Sequence, residues 1–207
     1  LNFLSRSETL IPLAAMMAGA VWCFIDDLLM IRPQGKGLPL SFRLLVVSTL
    51  ALLGGLWFYL KLEVTSISIP LHMPLEIGWL VIPLFVIISL GVYASGVIDG
   101  IDGLSGGVFA SIFAAYAFIA FAYGEIQLAA FCAATVGALL AFLWFNIPPA
   151  RFYMSDTGTM ALTLSLSVVA FMTDSIGGGI GIFVLPIVGA LLVVTVLSNI
   201  AQVAWKT

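Results

Sequence analysis

Five aspartates stand at the ends of apolar segments, in three short motifs that are far apart along the chain. They are Asp26, Asp27, Asp99, Asp102 and Asp156. Carboxylates are costly near hydrocarbon, so their presence at the ends of membrane-length segments indicates a functional site. Grouped carboxylates suit Mg²⁺, which takes few of them together with substrate phosphates. The pattern therefore indicates metal-assisted chemistry on a diphosphate at a membrane surface.

The first motif is the adjacent pair Asp26-Asp27, followed by the basic residues Arg32, Lys36 and Arg43. Two neighbouring carboxylates repel each other, so a metal ion or the nearby bases should compensate their charge. Taken alone, the pair is equally well explained as the solvated end of a helix.

The second motif is the string D-G-I-D-G-L-S-G-G, which begins at Asp99 and ends at Gly107. Carboxylates three residues apart share one face of a helix. The interleaved glycines, among them Gly100 and Gly103, let backbone N–H groups approach a phosphate. An ordinary turn between two helices needs fewer glycines, so this motif is the most specific of the three.

The third motif runs from Phe142 to Thr159 and contains a proline pair, one arginine and two aromatic residues ahead of Asp156. It predicts a helix end, a short loop and the start of another helix. The alternative explanation of Asp156 is structural, because an aspartate before an apolar run is a common N-cap.

The elements that position these motifs are membrane-spanning helices. The chain is 62% hydrophobic and 8% charged, with a mean hydropathy of +1.22, which excludes a soluble globular protein. Its net charge of −3 and the lack of a basic stripe exclude nucleic-acid binding. We predict one all-α transmembrane domain over residues 1–207, with local kinks at Pro83 and Pro186. Its seven spans are predicted near 10–30, 41–61, 76–96, 103–123, 126–147, 158–173 and 180–204.

The basic residues orient these spans. With seven spans, one side collects Arg32, Lys36, Arg43, Arg151 and Lys206, and the other has only Arg6 and Lys61. The positive-inside rule makes the first side cytoplasmic. All five aspartates of the three motifs lie on that side.

Together the three motifs resemble the polyprenyl-phosphate N-acetylhexosamine-1-phosphate transferase superfamily. Within it, the tail from Leu185 to Val203 is most similar to the phospho-N-acetylmuramoyl-pentapeptide transferases. The resemblance extends over most of the chain and corresponds to the middle of the family, so we expect a fragment that lacks both ends.

The resemblance implies transfer of phospho-MurNAc-pentapeptide from its UDP carrier to undecaprenyl phosphate, giving lipid I and UMP in peptidoglycan biosynthesis. It implies Mg²⁺ as the cofactor, with undecaprenyl phosphate, a UDP-linked sugar nucleotide and the lipid bilayer as partners. It also implies a multi-pass protein of the bacterial plasma membrane, with its active site on the cytoplasmic face, in a family that is often dimeric.

The resemblance also assigns roles to residues. It implies that Asp26, Asp27 and Asp102 are catalytic, one of the adjacent pair deprotonating the lipid phosphate or helping to hold the metal, and that Asp156 is the Mg²⁺ ligand. The substrate-binding residues that it implies are Asp99, Gly100, Gly103, Asn146, Tyr153, Lys36 and Arg43.

Several positions depart from the family pattern. Met30 replaces a lysine, Tyr93 and Gly96 replace two asparagines, Ser155 replaces a glycine and Thr195 replaces a glutamate. With these changes and the family's terminal segments missing, we expect that the 207 residues alone do not turn over substrate.

Three alternatives stay open. A related transferase for another UDP-HexNAc would carry the same D-G-I-D-G-L string. A non-catalytic paralogue would explain Met30, Tyr93 and Gly96. An ion-coupled transporter is less consistent with the sequence, because transporter acids lie near the bilayer midplane and these lie at the ends of spans.

Overall fold

The computed structural model describes residues 7–31, 38–68, 75–94, 96, 101–176 and 180–206. Two short strands, β1 (Ser66–Ile67) and β2 (Leu75–Glu76), pair antiparallel, with Ser66 opposite Glu76. The rest of the regular structure is almost entirely helical. The helices are α1 (Ser7–Met30), α2 (Leu40–Lys61), α3 (Val81–Ala94), α4 (Leu104–Ala122), α5 (Ile126–Asn146), α6 (Ser155–Ile176), α7 (Gly181–Val188) and α8 (Ala190–Lys206).

The helices confirm the predicted all-α, multi-pass membrane architecture. Five of the described helices are long and apolar enough to cross a membrane, namely α1, α2, α4, α5 and α6, and α7 with α8 would form a sixth span. The predicted spans 10–30, 41–61, 103–123 and 126–147 match α1, α2, α4 and α5 to within a few residues.

The third span is shorter than predicted. A 3₁₀ turn (Gly78–Leu80) precedes α3, and together they form only a short apolar helix, Gly78–Ala94. Pro83 lies in the first turn of α3, where a proline removes no helical hydrogen bond. This residue therefore marks the start of the regular helix and not a kink within it.

The seventh predicted span is two helices. α7 ends at Val188, α8 begins at Ala190, and the two axes are bent by 67°. Pro186 lies in the last turn of α7, and Gly189 forms its C-cap. Proline followed by glycine explains the break, because neither residue supports a continuous helix.

α6 is longer than the predicted span 158–173, because the polar residues at its two ends are bonded to other parts of the chain. α6 carries small and hydroxylated residues among its buried positions, including Thr163, Ser167 and Thr173. Each of these three hydroxyls donates to a carbonyl of the preceding turn. Small and hydroxylated residues favour close helix contacts in membranes, and α6 packs against α1, α3, α4 and α7. It is the central helix of the described bundle.

Close packing of α1 on α6 brings the first and third motifs together. A Cβ at Gly19 of α1 would lie 3.1 Å from the Met160 carbonyl oxygen of α6 and 3.2 Å from the Cα of Ala161. Glycine therefore permits the backbones to approach closely. The C-terminal end of α1, with Asp26 and Asp27, consequently lies beside the N-terminal end of α6, with Asp156.

On the opposite face, the strands are joined to α6 by a buried carboxylate. Asp174 is 6% exposed, and its Oδ2 accepts a hydrogen bond of 3.2 Å from the backbone N–H of Ser68. Asp174 therefore stabilises the contact between α6 and the segment that follows β1. It lies near the C-terminal end of α6, whereas Asp156 lies near the N-terminal end.

The up-and-down path of the helices predicts which residues can be labelled from each side of the membrane. Ile31, after α1, and Trp79, before α3, are 79% and 65% exposed. In a background with Cys23 and Cys132 changed to alanine, Ile31→Cys should react with an impermeant thiol reagent only from the cytoplasmic side. Trp79→Cys should react only from the outside. Reaction of both from one side would contradict the shared face of the aspartate motifs.

Candidate functional site

The first group of predicted site residues meets where α1 ends and where α2 and α6 begin. The Arg43 side chain contacts two carboxylates there. Its Nε lies 2.8 Å from Oδ2 of Asp26, and its Nη1 donates to Oδ2 of Asp156. Asp27 adjoins this group. We call Asp26, Asp27, Arg43 and Asp156 the aspartate cluster.

The two ends of the aspartate cluster differ in exposure. The Asp26 side chain is 1% exposed, whereas that of Asp156 is 43% exposed. Oδ1 of Asp26 accepts a hydrogen bond of 2.7 Å from the backbone N–H of Leu38, and Oδ2 is within ion-pair distance of Arg43 without hydrogen-bond alignment. The Asp26 carboxylate is therefore surrounded by other groups of this chain, whereas the Asp156 carboxylate is accessible from the surface.

Asp27 is held by two hydroxyl groups at the start of α6. Ser155 Oγ and Thr157 Oγ1 donate hydrogen bonds of 2.8 and 2.6 Å to its Oδ2. Asp27 is only partly buried. These hydrogen bonds fix its carboxylate on the same surface as that of Asp156.

Ser155 has a backbone φ of 58°, in the left-handed region that favours glycine. This conformation costs a serine about 1 kcal/mol, and the hydroxyl bond to Asp27 returns about 1 kcal/mol. We expect Ser155→Gly to leave the free energy of unfolding nearly unchanged. Ser155→Ala should lower it by about 1 kcal/mol, because alanine keeps the strain and loses the bond. Denaturant unfolding of both variants checks this, and equal destabilisation by both would contradict it.

A second group of predicted site residues joins the glycine turn before α4 to the loop between α5 and α6. Asn146 Oδ1 accepts from the Gly103 N–H at 2.9 Å, and Asn146 Nδ2 donates to the Phe152 carbonyl at 2.9 Å. Asp102 accepts from the Ala150 N–H at 3.0 Å and from the Tyr153 hydroxyl at 2.7 Å. We call this group the loop clasp; its members are Asp102, Gly103, Asn146, Ala150, Phe152 and Tyr153.

The loop clasp lowers the pKa of Asp102 below its usual value of 3.8, because the Tyr153 hydroxyl and then the Ala150 N–H stabilise the carboxylate. A lowered pKa contributes stability above the usual pKa and loses it as the pH falls through the folded-state pKa. Tyr153→Phe should therefore lower Tm at neutral pH, and the deficit should shrink as the pH falls below about 3.8. Tyr123→Phe, on the opposite face, is the matched control. A deficit that is independent of pH would show that the hydroxyl does not act through Asp102.

The predicted site residues are thus brought together in two groups. Asp26, Asp27, Arg43 and Asp156 form one, and Asp102, Gly103, Asn146 and Tyr153 belong to the other. Asp99, Gly100 and Lys36 lie outside the described residues, so their assignments stay predictions.

Sequence reasoning missed the two hydroxyl partners of Asp27. In the sequence, Ser155 stands out only as a departure from the family's glycine, and Thr157 lies within the third motif without a distinguishing feature. The signal that could have found them is their position on either side of Asp156. The N-cap explanation of Asp156 is wrong, because α6 begins at Ser155 and Asp156 lies within its first turn.

The aspartate cluster offers oxygen ligands for a cation. In the described part of the chain, no group of three His, Cys, Asp or Glu side chains could hold a metal ion. Asp156 and Asp27, with the nearby hydroxyls, nevertheless offer hard oxygen donors on one surface. That set fits Mg²⁺, which is bound by one or two carboxylates plus phosphates and waters, better than it fits zinc.

The family model and the similar curated proteins indicate the same family. Residues 9–174, which contain the aspartate cluster and the loop clasp, match "Glycosyl transferase family 4". Three similar curated proteins are each named phospho-N-acetylmuramoyl-pentapeptide-transferase. The one from Halalkalibacterium halodurans is 34% identical over 97% of this chain and 61% of its own length. Those from Chloroflexus aurantiacus and Granulibacter bethesdensis are 33% and 37% identical, over 99% and 88% of this chain and 57% and 55% of their own lengths. The chain thus spans little more than half the length of these relatives.

Proposed function

The chain belongs to glycosyl transferase family 4, and from this premise we propose that it carries the catalytic centre of a phosphosugar transferase. The proposed reaction moves phospho-MurNAc-pentapeptide from its UDP carrier to undecaprenyl phosphate, forming lipid I and releasing UMP. The proposed site lies on the cytoplasmic face of the membrane, which the distribution of basic residues supports.

One observation carries the proposal. The carboxylates of Asp26 and Asp156 are far apart in sequence, and both contact Arg43 at one end of the helix bundle. Helix ends at a membrane surface are where a lipid phosphate and a water-soluble nucleotide can meet. The arrangement is therefore suited to transfer between a lipid and a soluble donor, and not to an ion path through the bilayer.

The names of the relatives support the assignment of UDP-MurNAc-pentapeptide as the donor. The similar proteins from H. halodurans and G. bethesdensis carry the name of the phospho-N-acetylmuramoyl-pentapeptide transferase. A transferase for another UDP-HexNAc is the alternative, and the activity test below distinguishes it.

The members of the aspartate cluster have different proposed roles. Arg43 is the cation that the cluster itself supplies, and its Nη2 lies 3.7 Å from the sulfur of Met30, where the family has a lysine. Asp26 is buried, so its carboxylate orients Arg43. Asp27 and Asp156 are more exposed, so their carboxylates are accessible to a cation.

The cluster needs a further cation before it can receive two phosphate groups. Three carboxylates and one guanidinium leave an excess of negative charge, which repels a phosphate. Asp156 and Asp27 would hold Mg²⁺, which would neutralise charge on the diphosphate when bound. Positioning and charge stabilisation supply most of the rate in phosphoryl transfer.

The test is to follow UMP release, with undecaprenyl phosphate and Mg²⁺, by the purified protein extended to the length of its relatives. We expect release from UDP-MurNAc-pentapeptide and little from UDP-GlcNAc. A preference for UDP-GlcNAc would favour the alternative transferase. No release from either donor, by a protein that is folded and extended to the length of its relatives, would contradict the proposal.

A further inference from the structure

We propose that a polar pocket at the end of the bundle opposite the aspartate cluster binds a divalent cation, Ca²⁺ in particular. The pocket lies between the segment from the end of α2 to β1 and the last turns of α6, and its volume is about 230 Å³. Its two acidic residues are Glu63 and Asp174. We call it the outer pocket. The proposal does not depend on the transfer reaction, which uses neither acid.

The buried carboxylate of Asp174 is the first argument. The residue is 94% buried, and its Oδ2 accepts the Ser68 N–H. Its Oδ1 is buried and has no hydrogen-bond partner among the described residues. The N–H groups of Gly181 and Ile182 lie near the carboxylate, but they are not aligned for a hydrogen bond to Oδ1. Since buried carboxylates are normally paired, hydrogen-bonded or bound to a metal, a cation in the outer pocket would supply the missing partner.

The other polar residues that line the outer pocket are the second argument. Glu63 is exposed and adds a second carboxylate that is accessible from the surface. The hydroxylated residues of the lining are Thr65, Ser66, Ser68 and Ser175. None of the described residues in the lining is a lysine, arginine or histidine. The pocket therefore offers oxygen ligands and no competing base, which is the donor set of a hard cation.

The kind of cation follows from the arrangement of these ligands. Ca²⁺ accepts an irregular set of carboxylate, hydroxyl, carbonyl and water oxygens, whereas Mg²⁺ requires nearly octahedral geometry and loses its waters reluctantly. The ligands of the outer pocket come from an irregular segment and from a helix end, so they suit Ca²⁺ better. With two carboxylates, we expect a dissociation constant of about 10⁻⁴ to 10⁻³ M, as in extracellular calcium modules.

The charge on this side of the membrane is the third argument. The predicted orientation places acids in excess over bases on the side of the outer pocket. The acids are Glu8, Glu63, Glu76, Glu125 and Asp174, and the bases are Arg6 and Lys61. An excess of negative charge raises the local concentration of cations. A bound cation would then connect the segment after α2 to the end of α6.

The test is a calcium titration of the purified protein, extended to the length of its relatives, in detergent. Excess Mg²⁺ is present throughout, so that the proposed cation site of the aspartate cluster is occupied. Calorimetry compares the parent with Asp174→Asn and Glu63→Gln, and we expect each substitution to weaken Ca²⁺ binding by at least about tenfold. Glu125→Gln is the matched control on the same face and should leave the affinity unchanged. Hydrogen–deuterium exchange in a peptide covering 62–68 should slow when Ca²⁺ is added.

The outcomes distinguish the outer pocket from other sites. Absence of Ca²⁺ binding by the folded parent would overturn the proposal, and so would binding that survives both substitutions. Binding that is lost in Asp156→Asn and kept in Glu63→Gln would place the ion at the aspartate cluster and would also overturn it. If Asp174→Asn does not fold, Glu63→Gln decides alone, because its side chain is exposed. A failure of UMP release would count against the proposed function and would leave these measurements unaffected.

Discussion

Replacing Asp156 with asparagine should reduce UMP release by a factor on the order of 10³, with little change in stability. Asparagine preserves the shape of the side chain and removes only its charge. Asp156 is 43% exposed, and Arg43 retains its contact with Asp26, so the fold should lose no more than about 1 kcal/mol. The proposed cation site, in contrast, loses one of its two exposed carboxylates. Initial rates over a range of Mg²⁺ concentrations, measured on the protein extended to the length of its relatives, together with Tm, separate the two effects.

The matched control is Glu125→Gln, the same change of acid to amide at the N-cap of α5 on the opposite face. It should leave the rate unchanged. An Asp156→Asn variant with a rate within a few-fold of the parent would show that Asp156 only stabilises the start of α6, where an acid interacts favourably with the helix dipole.

The sequence predicts the apolar helices well where the apolar run is uninterrupted. α4 and α5 lie within one residue of their predicted bounds, since each is bounded by glycine, proline or charged residues. The length of α6 could not be predicted by the same argument. Its polar ends look like loop on hydropathy alone, and only tertiary partners such as Arg43 and Ser68 pair them.

The sequence predicts which residues lie in the described groups better than it predicts which of them are bonded to one another. Residue type and motif single out Asp26, Asp27, Asp102 and Asp156, with Arg43 as a nearby base, whereas Asn146 and Tyr153 follow only from the family resemblance. Asp99 lies outside the described residues. Which carboxylate would be buried could not be predicted, because Asp26 and Asp27 are adjacent and differ only in the direction that the helix end gives them. Asn146 lies in a helix end whose burial depends on the loop folding back over it, which has no sequence signature.

The largest effect on stability should come from Arg43→Met, which we expect to lower the free energy of unfolding by about 3 kcal/mol. Methionine has a similar length but no charge. The change would leave Asp26, only 1% exposed, without its cation. Lys61→Met is the control at the other end of α2, where the cation is exposed, and it should change stability by less than about 0.5 kcal/mol. The free energy of unfolding is measured in mixed detergent micelles for the parent protein, Arg43→Met and Lys61→Met.

A double variant distinguishes the charge of Asp26 from the packing of Arg43. Asp26→Asn keeps an oxygen that can accept from the Leu38 N–H and removes the buried charge. Combined with Arg43→Met, it should restore most of the lost stability, because the penalty for breaking a buried pair comes mainly from the charge left behind. UMP release should stay low in the double variant, since the restored fold still lacks the cation that the aspartate cluster supplies. If the double variant is as unstable as Arg43→Met alone, Arg43 stabilises the helix ends by packing, and its ion pair with Asp26 is not what holds α1 to α2.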